Sequence, residues 1–379
     1  MADGLRVLLD ATAVPADRGG VGRYVDALLP ALVRAGVDVV VVAQPRDLDL
    51  LARIAPGAEV VAAPSGVARR PARMAWEQVG LPRLVRRTGA QVLHSPHYTM
   101  PLAAGAPVCV TVHDATFFSH PELHSPVKAR FFRTATRWAV RHAASLVAPS
   151  RATAQEVARY AGADVDDVVV AYHGVDSGVF HPVDDDERAR VRSTLGIGEG
   201  DYVAFLGTLE PRKNVPALVR AWVRAVQGMP DPPALVLAGG PGWDTGVEPA
   251  LAAVPPGLTA VRTGYLPLGD LAGFLAGARV VAYPSLGEGF GLPVLEAMAC
   301  GAAVLTTREL SLPEVGGDAV AYAGTDEPSI AAALRGLLDD PVRTGALAAA
   351  ARERAATFTW DAAAAAHLLA YERAAATRR

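Results

Sequence analysis

Cysteine is nearly absent: Cys109 and Cys300 are the only two in 379 residues. Both lie in apolar runs, which excludes a disulfide framework and fits small core side chains in a reducing compartment. Lysine is as scarce, with only Lys128 and Lys213, so arginine supplies the remaining positive charge. Together with the abundance of alanine, this suggests a GC-rich coding bias rather than a physical demand. A strong charge of either sign is also missing. The formal net charge is -3, which leaves no footprint for nucleic acid. No apolar run approaches the ~20 residues needed to span a bilayer. Met1-Ala2-Asp3-Gly4 runs straight into a strand pattern, so no signal peptide is visible. The expectation is a soluble, cytoplasmic chain without a solenoid-length repeat. With 51% apolar and 20% charged residues it is globular, and its length calls for two domains.

What is present centres on one stretch, Pro284-Ser285-Leu286-Gly287-Glu288-Gly289-Phe290-Gly291-Leu292-Pro293-Val294-Leu295-Glu296, continuing to Cys300 and Gly301. The apolar run before it, Val280 to Tyr283, is short enough for a buried parallel strand. The segment after the glycines reads as a helix stopped by Gly301. In an open parallel sheet such a strand-loop-helix junction lies at the carboxyl edge, where ligands bind. The amides of Gly289, Phe290, Gly291 and Leu292 then stand at a helix N-terminus, ready for an anion. Glu288 and Glu296 flank them. Amides for phosphate beside carboxylates for hydroxyls suit a sugar nucleotide.

The same logic recurs along the chain. Leu5 to Leu9 is a first strand, ending at Asp10. Gly19-Gly20-Val21-Gly22 precedes a helix to about Ala35, and Val37 to Ala43 is a second strand. This is a βαβ opening, but the glycines do not form G-x-G-x-x-G. Residues 44–75 read as irregular, with Arg69, Arg70 and Arg73 as a solvated face or a contact for anionic lipid head groups. A strand through Leu93 carries His94 and His97 at its end, each either structural or functional. The strand Val108 to Val112 ends in His113-Asp114. Phe131, Phe132 and Trp138 lie on a helix over residues 126–144 as core or acceptor-site aromatics, and Ser150 is placed to cap a helix. In the second half, Tyr202 to Leu206 leads into Gly207 and then Arg212-Lys213, two cations able to neutralise a diphosphate. Later strands end in Gly239-Gly240 and in Gly264-Tyr265-Leu266. Asp47-Leu48-Asp49 and Asp164-Val165-Asp166 match a metal-binding tripeptide that is common by chance, and they read as surface acids.

Glu288 and Glu296 at their spacing, Arg212-Lys213 and His113-Asp114, in this order, resemble the signature of retaining glycosyltransferases of the GT-B fold, family 4. The resemblance covers nearly the whole chain. It implies an α/β architecture of two Rossmann-like, doubly wound parallel-sheet domains facing a central cleft. Residues 1–180 would bind the acceptor and residues 181–358 the nucleotide-sugar, with residues 359–379 returning as a helix to the first domain. It further implies that His113 contacts the donor sugar and that Arg212 and Lys213 hold the diphosphate. Glu288 would take sugar hydroxyls and Glu296 the ribose. Gly19 and Gly20 would approach the phosphates, with Gly207, Tyr265 and Leu266 along the nucleotide. The function implied is hexose transfer to a glycan or lipid-linked acceptor. Mannose from GDP-mannose is the first choice of donor, with UDP- and TDP-sugars behind it. No metal or other cofactor is implied, and peripheral contact with a membrane is. A nucleotide-sugar epimerase of the same architecture and a non-catalytic nucleotide-sugar-binding protein are the alternatives.

Overall fold

Two fully parallel sheets carry the chain; the central strands are short apolar runs buried between helix layers, while the edge strands 59–62 and 260–264 are partly exposed. The computed structural model describes residues 4–197 and 200–377. Met1 to Asp3, where the leader reading begins, lie outside the described residues, as do Gly198, Glu199, Arg378 and Arg379. The chain divides into one unit of Met1–Gly174 with Thr359–Arg379 and a second of Val175–Phe358.

In the first unit the strands are β1 (Arg6–Asp10), β2 (Asp38–Ala43), β3 (Glu59–Ala62), β4 (Val92–Ser95), β5 (Val108–Thr111), β6 (Ser145–Ala148) and β7 (Val168–Val170). They lie in the order β3-β2-β1-β4-β5-β6-β7. Side chains alternate across the sheet. Val7 and Leu9 join the core under helix Gly19–Arg34 and the terminal helix Trp360–Ala376, while Leu8 joins the core on the other face. The terminal helix buries Ala363, Ala364, Ala370 and Ala374, whose small side chains let it lie close to its neighbours.

The second unit repeats the plan with β8 (Tyr202–Leu206), β9 (Ala234–Ala238), β10 (Ala260–Gly264), β11 (Val280–Tyr283), β12 (Val304–Thr307) and β13 (Ala321–Ala323). Their order is β10-β9-β8-β11-β12-β13. In both sheets the winding reverses beside the first strand, between β1 and β4 and between β8 and β11. There the diverging crossovers leave room at the carboxyl ends for a ligand.

Residues 44–75 are not irregular. They fold as a 3₁₀ turn (Pro45–Asp47), helix Leu48–Ile54, strand β3, a second 3₁₀ turn (Ser65–Ala68) and the start of helix Arg70–Thr88. The prolines only punctuate these short elements, and Pro71 sits in the first helical turn, where no amide partner is needed. Among the described residues no helix is long and apolar enough to cross a membrane.

Candidate functional site

Strands β8 and β11 deliver the charged groups of the second unit. The loop after β8 passes Gly207 and tightens into a 3₁₀ turn, Pro211–Lys213. The loop after β11 carries Glu288 and enters helix Leu292–Ala299. Backbone bonds tie the two loops: Leu286 N donates to Arg212 O at 2.8 Å, and Ser285 Oγ lies 3.0 Å from the same oxygen. Thr306, Thr307 and Ser311 donate to carbonyls of Tyr283, Ser285 and Glu288 at 2.8, 2.6 and 2.7 Å. The glycine loop is therefore held from β12 as well as from β8.

Glu288 is buried and surrounded by donors. Its Oε1 accepts from Lys213 Nζ at 2.7 Å, Ser285 Oγ at 2.7 Å and Tyr283 OH at 3.0 Å. Its Oε2 pairs with Arg212, whose Nη1 also donates to Gly287 O at 2.7 Å. Burial would push the Glu288 carboxyl up, but the charges of Arg212 and Lys213 outweigh it and hold the group at about 2. Burial, joined by the Arg212 charge, lowers Lys213, and Glu288 opposes both. Arg212 and Lys213 share the Glu288 carboxylate, and Glu210 also approaches Arg212 Nη2 at 3.5 Å, so two cations face two carboxylates in this cluster.

The amides follow immediately. Gly291 is the helix cap at φ +103°, and a Cβ there would lie 2.9 Å from Leu312 Cδ2. Phe290 is buried against Phe358. Glu296 is buried in the second turn of the helix. Glycine is demanded again beside β9. A Cβ on Gly239, at φ +128°, would sit 2.2 Å from Gly207 O, so only glycine lets the two loop backbones touch. Tyr265 is exposed and its hydroxyl packs on Gly240, with Leu266 half-buried next to it.

In the first unit His113 follows β5. Its Nε2 donates to Pro96 O at 2.7 Å. Burial lowers the imidazole below its ordinary value, with Pro96 and Asp114 opposing. The neutral ring therefore spends its proton on Pro96, and Nδ1 is an acceptor. Asp114 accepts from Thr116 Oγ1 and N at 2.7 and 3.1 Å, a turn-stabilising role. Gly19 and Gly20 open helix Gly19–Arg34 directly, exposed at its N-terminus, rather than forming a loop ahead of it. Arg18 lies across that end and reaches Asp26 and Asp47.

His94 faces the interior, not the edge. Its Nε2 lies 2.9 Å from Thr111 Oγ1 and its Nδ1 2.9 Å from Tyr371 OH. Tyr24 OH bridges Thr111 Oγ1 at 3.1 Å and His367 Nε2 at 2.7 Å, while His367 Nδ1 donates to Ala363 O at 2.7 Å. One consistent set of protons runs along this chain with both imidazoles neutral. Tyr24 also meets the His113 ring edge-on at 4.9 Å. His97 is buried against Tyr98 and Phe132 at 5.2 and 5.7 Å.

Sequence reasoning missed Tyr283 and Ser285 as supports of Glu288, although Ser285 lies in the stretch it singled out and Tyr283 ends the strand before it. It also missed Tyr24, His367 and Tyr371. The signal was there: His367 and Tyr371 interrupt an alanine face at helical spacing. Asp47 is not a surface acid but is buried and paired with Arg18 at 2.9 Å. Among the described residues no group of three His, Cys, Asp or Glu side chains is placed to hold a metal.

Comparison with known proteins places this geometry. Residues 18–178 match Glycosyltransferase Family 4, and residues 200–340 match Glycosyl transferases group 1. O-antigen chain mannosyltransferase B of Escherichia coli is 30% identical over 294 residues, 77% of this chain and 74% of that one. D-inositol 3-phosphate glycosyltransferase of Mycobacterium avium is 38% identical over 223 residues, 56% of this chain and half of that relative's length (50%). The structure of Anabaena HepE in complex with UDP-glucose superposes with a TM-score of 0.73 over 98% of this chain and 99% of that one, at 18% identity, a likeness of fold. The chain belongs to the family 4 glycosyltransferases.

Proposed function

We propose that the protein moves a hexose, with retention of anomeric configuration, from a nucleotide diphosphate sugar to a hydroxyl of a glycan or lipid-linked acceptor. GDP-mannose is the first-choice donor, supported by the mannosyltransferase among the relatives. UDP-glucose is second, supported by the complex of the structural neighbour. The observation that carries the reading is the Arg212-Lys213-Glu288 cluster at the β8/β11 switch, next to the glycine-loop amides.

As the glycosidic C–O bond breaks, negative charge grows on the leaving diphosphate. Arg212, Lys213 and the Gly289 to Leu292 amides stabilise that charge more than the ground state, which is the main catalytic contribution. They are held in place beforehand by Glu288, so little reorganisation is needed when charge develops. Held near 2, Glu288 stays ionised and acts only as an acceptor, for Arg212, Lys213 and donor hydroxyls. Glu296 is assigned to the ribose. His113, neutral with Nε2 committed to Pro96, accepts a hydrogen bond from a sugar hydroxyl at Nδ1 rather than donating one. The reaction is assigned to the front face, with the diphosphate taking the acceptor proton and no metal taking part. Peripheral docking at the inner membrane face and a cytoplasmic location complete the proposal.

The test is product analysis with GDP-mannose, UDP-glucose and TDP-rhamnose across glycan and lipid-linked acceptors, in excess EDTA. Acceptor-dependent transfer with a retained anomeric proton signal is expected. Donor conversion that needs no acceptor would replace this reading with an epimerase, and binding without turnover would remove the enzymatic one.

A further inference from the structure

Tyr98, just beyond β4, holds a backbone shape that suits glycine or asparagine. Its φ is +59°, and among the described residues the other non-glycine positions with positive φ are Arg18, Asn214 and Leu310. Such a conformation persists only where the surroundings over-determine it. For Tyr98 they do. The residue is 3% exposed, and its ring packs edge-on against His113, Phe117 and Phe132, with centroids at 6.0, 5.7 and 4.9 Å. Tyr98 N donates to Thr111 O at 3.2 Å, which anchors the loop to the end of β5.

The hydroxyl acts in both directions on one residue. It accepts from Asp114 N at 3.1 Å and donates to Asp114 Oδ2 at 3.1 Å. Asp114 Oδ1 is taken by Thr116 N and Oγ1 at 3.1 and 2.7 Å. Thr116 Oγ1, its proton given to Asp114, then accepts from His124 Nε2 at 2.9 Å. Both carboxylate oxygens of Asp114 are thus engaged within the protein, and they fix the peptide next to His113. The imidazole is held from the same loop, since His113 Nε2 donates to Pro96 O at 2.7 Å. The loop after β4 therefore grips the His113 segment twice, by a carbonyl at the ring and by a phenol at the following peptide. Strands β4 and β5 are paired, so both grips act across adjacent strand ends.

We infer that Tyr98 is a positioning residue for His113. Its hydroxyl fixes the peptide that follows His113, Pro96 O fixes Nε2, and Nδ1 is left to accept along one set direction. An acceptor aligned beforehand needs no reorganisation during the reaction. Tyr98 is assigned no contact with substrate, and its effect passes through the imidazole. The inference rests on the transferase reading for what His113 does, but the clasp itself is measurable without turnover.

The full chain, isotopically labelled at the histidine nitrogens, should show His113 in the magnetic resonance spectrum with a protonated Nε2 and a bare Nδ1. Loss of one pair of signals in His113→Gln identifies them. Tyr98→Phe keeps the ring and its packing and removes only the hydroxyl. It should move the two His113 signals toward a common averaged value, as the tautomer protonated at Nδ1 becomes populated. Its kcat should fall about 10- to 100-fold with the donor KM within about twofold of the parent. In the His113→Gln background the same substitution should lower kcat no further, because a residue that acts through His113 has nothing left to position. Should Tyr98→Phe fail to fold, Asp114→Asn opens the same clasp from the other side and should average the same signals. Unmoved His113 signals in the folded variant overturn the inference, as does a kcat loss that multiplies in the double variant. Parental turnover in His113→Gln would instead refute the part given to His113 in transfer, and the nitrogen signals would then decide the clasp alone.

Discussion

Replacing His367 by Gln should remove one proton's worth of acid sensitivity from the first unit. His367 is buried between Ala363 O and Tyr24 OH, and burial lowers its imidazole from 6.5 to about 4. The sign follows from linkage. Between those two values the unfolded chain binds a proton at this site and the folded chain does not, so stability rises with pH there. The contribution is intact above about pH 6.5 and is lost as pH falls toward 4. For 2.5 pH units at 1.36 kcal/mol each, the loss is roughly 3 kcal/mol, with a slope approaching 1.4 kcal/mol per pH unit near pH 5.5. His94, His97, His113 and His173 are lowered by burial in the same direction. Asp10, Asp26, Glu77 and Glu156 are raised by burial and act with the opposite sign. Comparing parent with variant cancels the groups that do not feel His367, whereas His94 and His173, which its charge helps to lower, change with it. The assay is urea unfolding at pH 7.5, 6.5, 5.5 and 5.0, with hydrogen exchange in β4, β5 and the terminal helix reporting on the first unit. Curves for parent and His367→Gln that stay parallel over this range would refute the neutral, buried imidazole.

Further consequences concern single side chains. Lys213→Ala should lower kcat by about 10²–10³ while circular dichroism stays unchanged, because it removes one fixed charge aimed at the leaving group; near-normal turnover would count against the mechanism. Gly239→Ala forces a Cβ to 2.2 Å from Gly207 O and should cost the second unit about 1–3 kcal/mol in a urea melt. Tyr24→Phe keeps the ring beside His113 but takes the hydroxyl from His367 Nε2, leaving a buried acceptor without its donor at about 1–3 kcal/mol. Faster exchange confined to residues 360–376 is the expected readout, and unchanged exchange would show that the hydroxyl does not hold the helix.

Much of the fold was legible because buried parallel strands read as unbroken apolar runs, and each run here ends at a glycine or polar turn. The candidate polar residues were legible for a related reason. Arg212, Lys213, Glu288 and His113 all stand just beyond a strand's carboxyl end, where an open α/β sheet places its ligands. What the sequence hid was non-local. His94 looks like an edge residue until Tyr371, 277 positions later, covers it. The pairing of Glu288 with both cations depends on β8 and β11 being neighbours, which no local pattern reports. Residues 44–75 misled because their elements are only three to seven residues long before helix Arg70–Thr88 and their periodicity never completes. The exposed face of helix Pro126–His142 was invisible for a similar reason. Phe131 and Trp138 read as core or acceptor-site aromatics until burial shows which face the protein covers.

The central claim is that Arg212 and Lys213 grip the terminal phosphate of a nucleoside diphosphate. Calorimetric titration of the parent with GDP and GMP, and with UDP and UMP, measures that grip directly. For the base the protein accepts, the diphosphate should bind about 10- to 100-fold more tightly than the monophosphate, as for hydrogen bonds to a charged group. In Arg212→Ala with Lys213→Ala that preference should vanish while monophosphate affinity is kept. A double variant that still prefers the diphosphate as strongly as the parent would contradict the account.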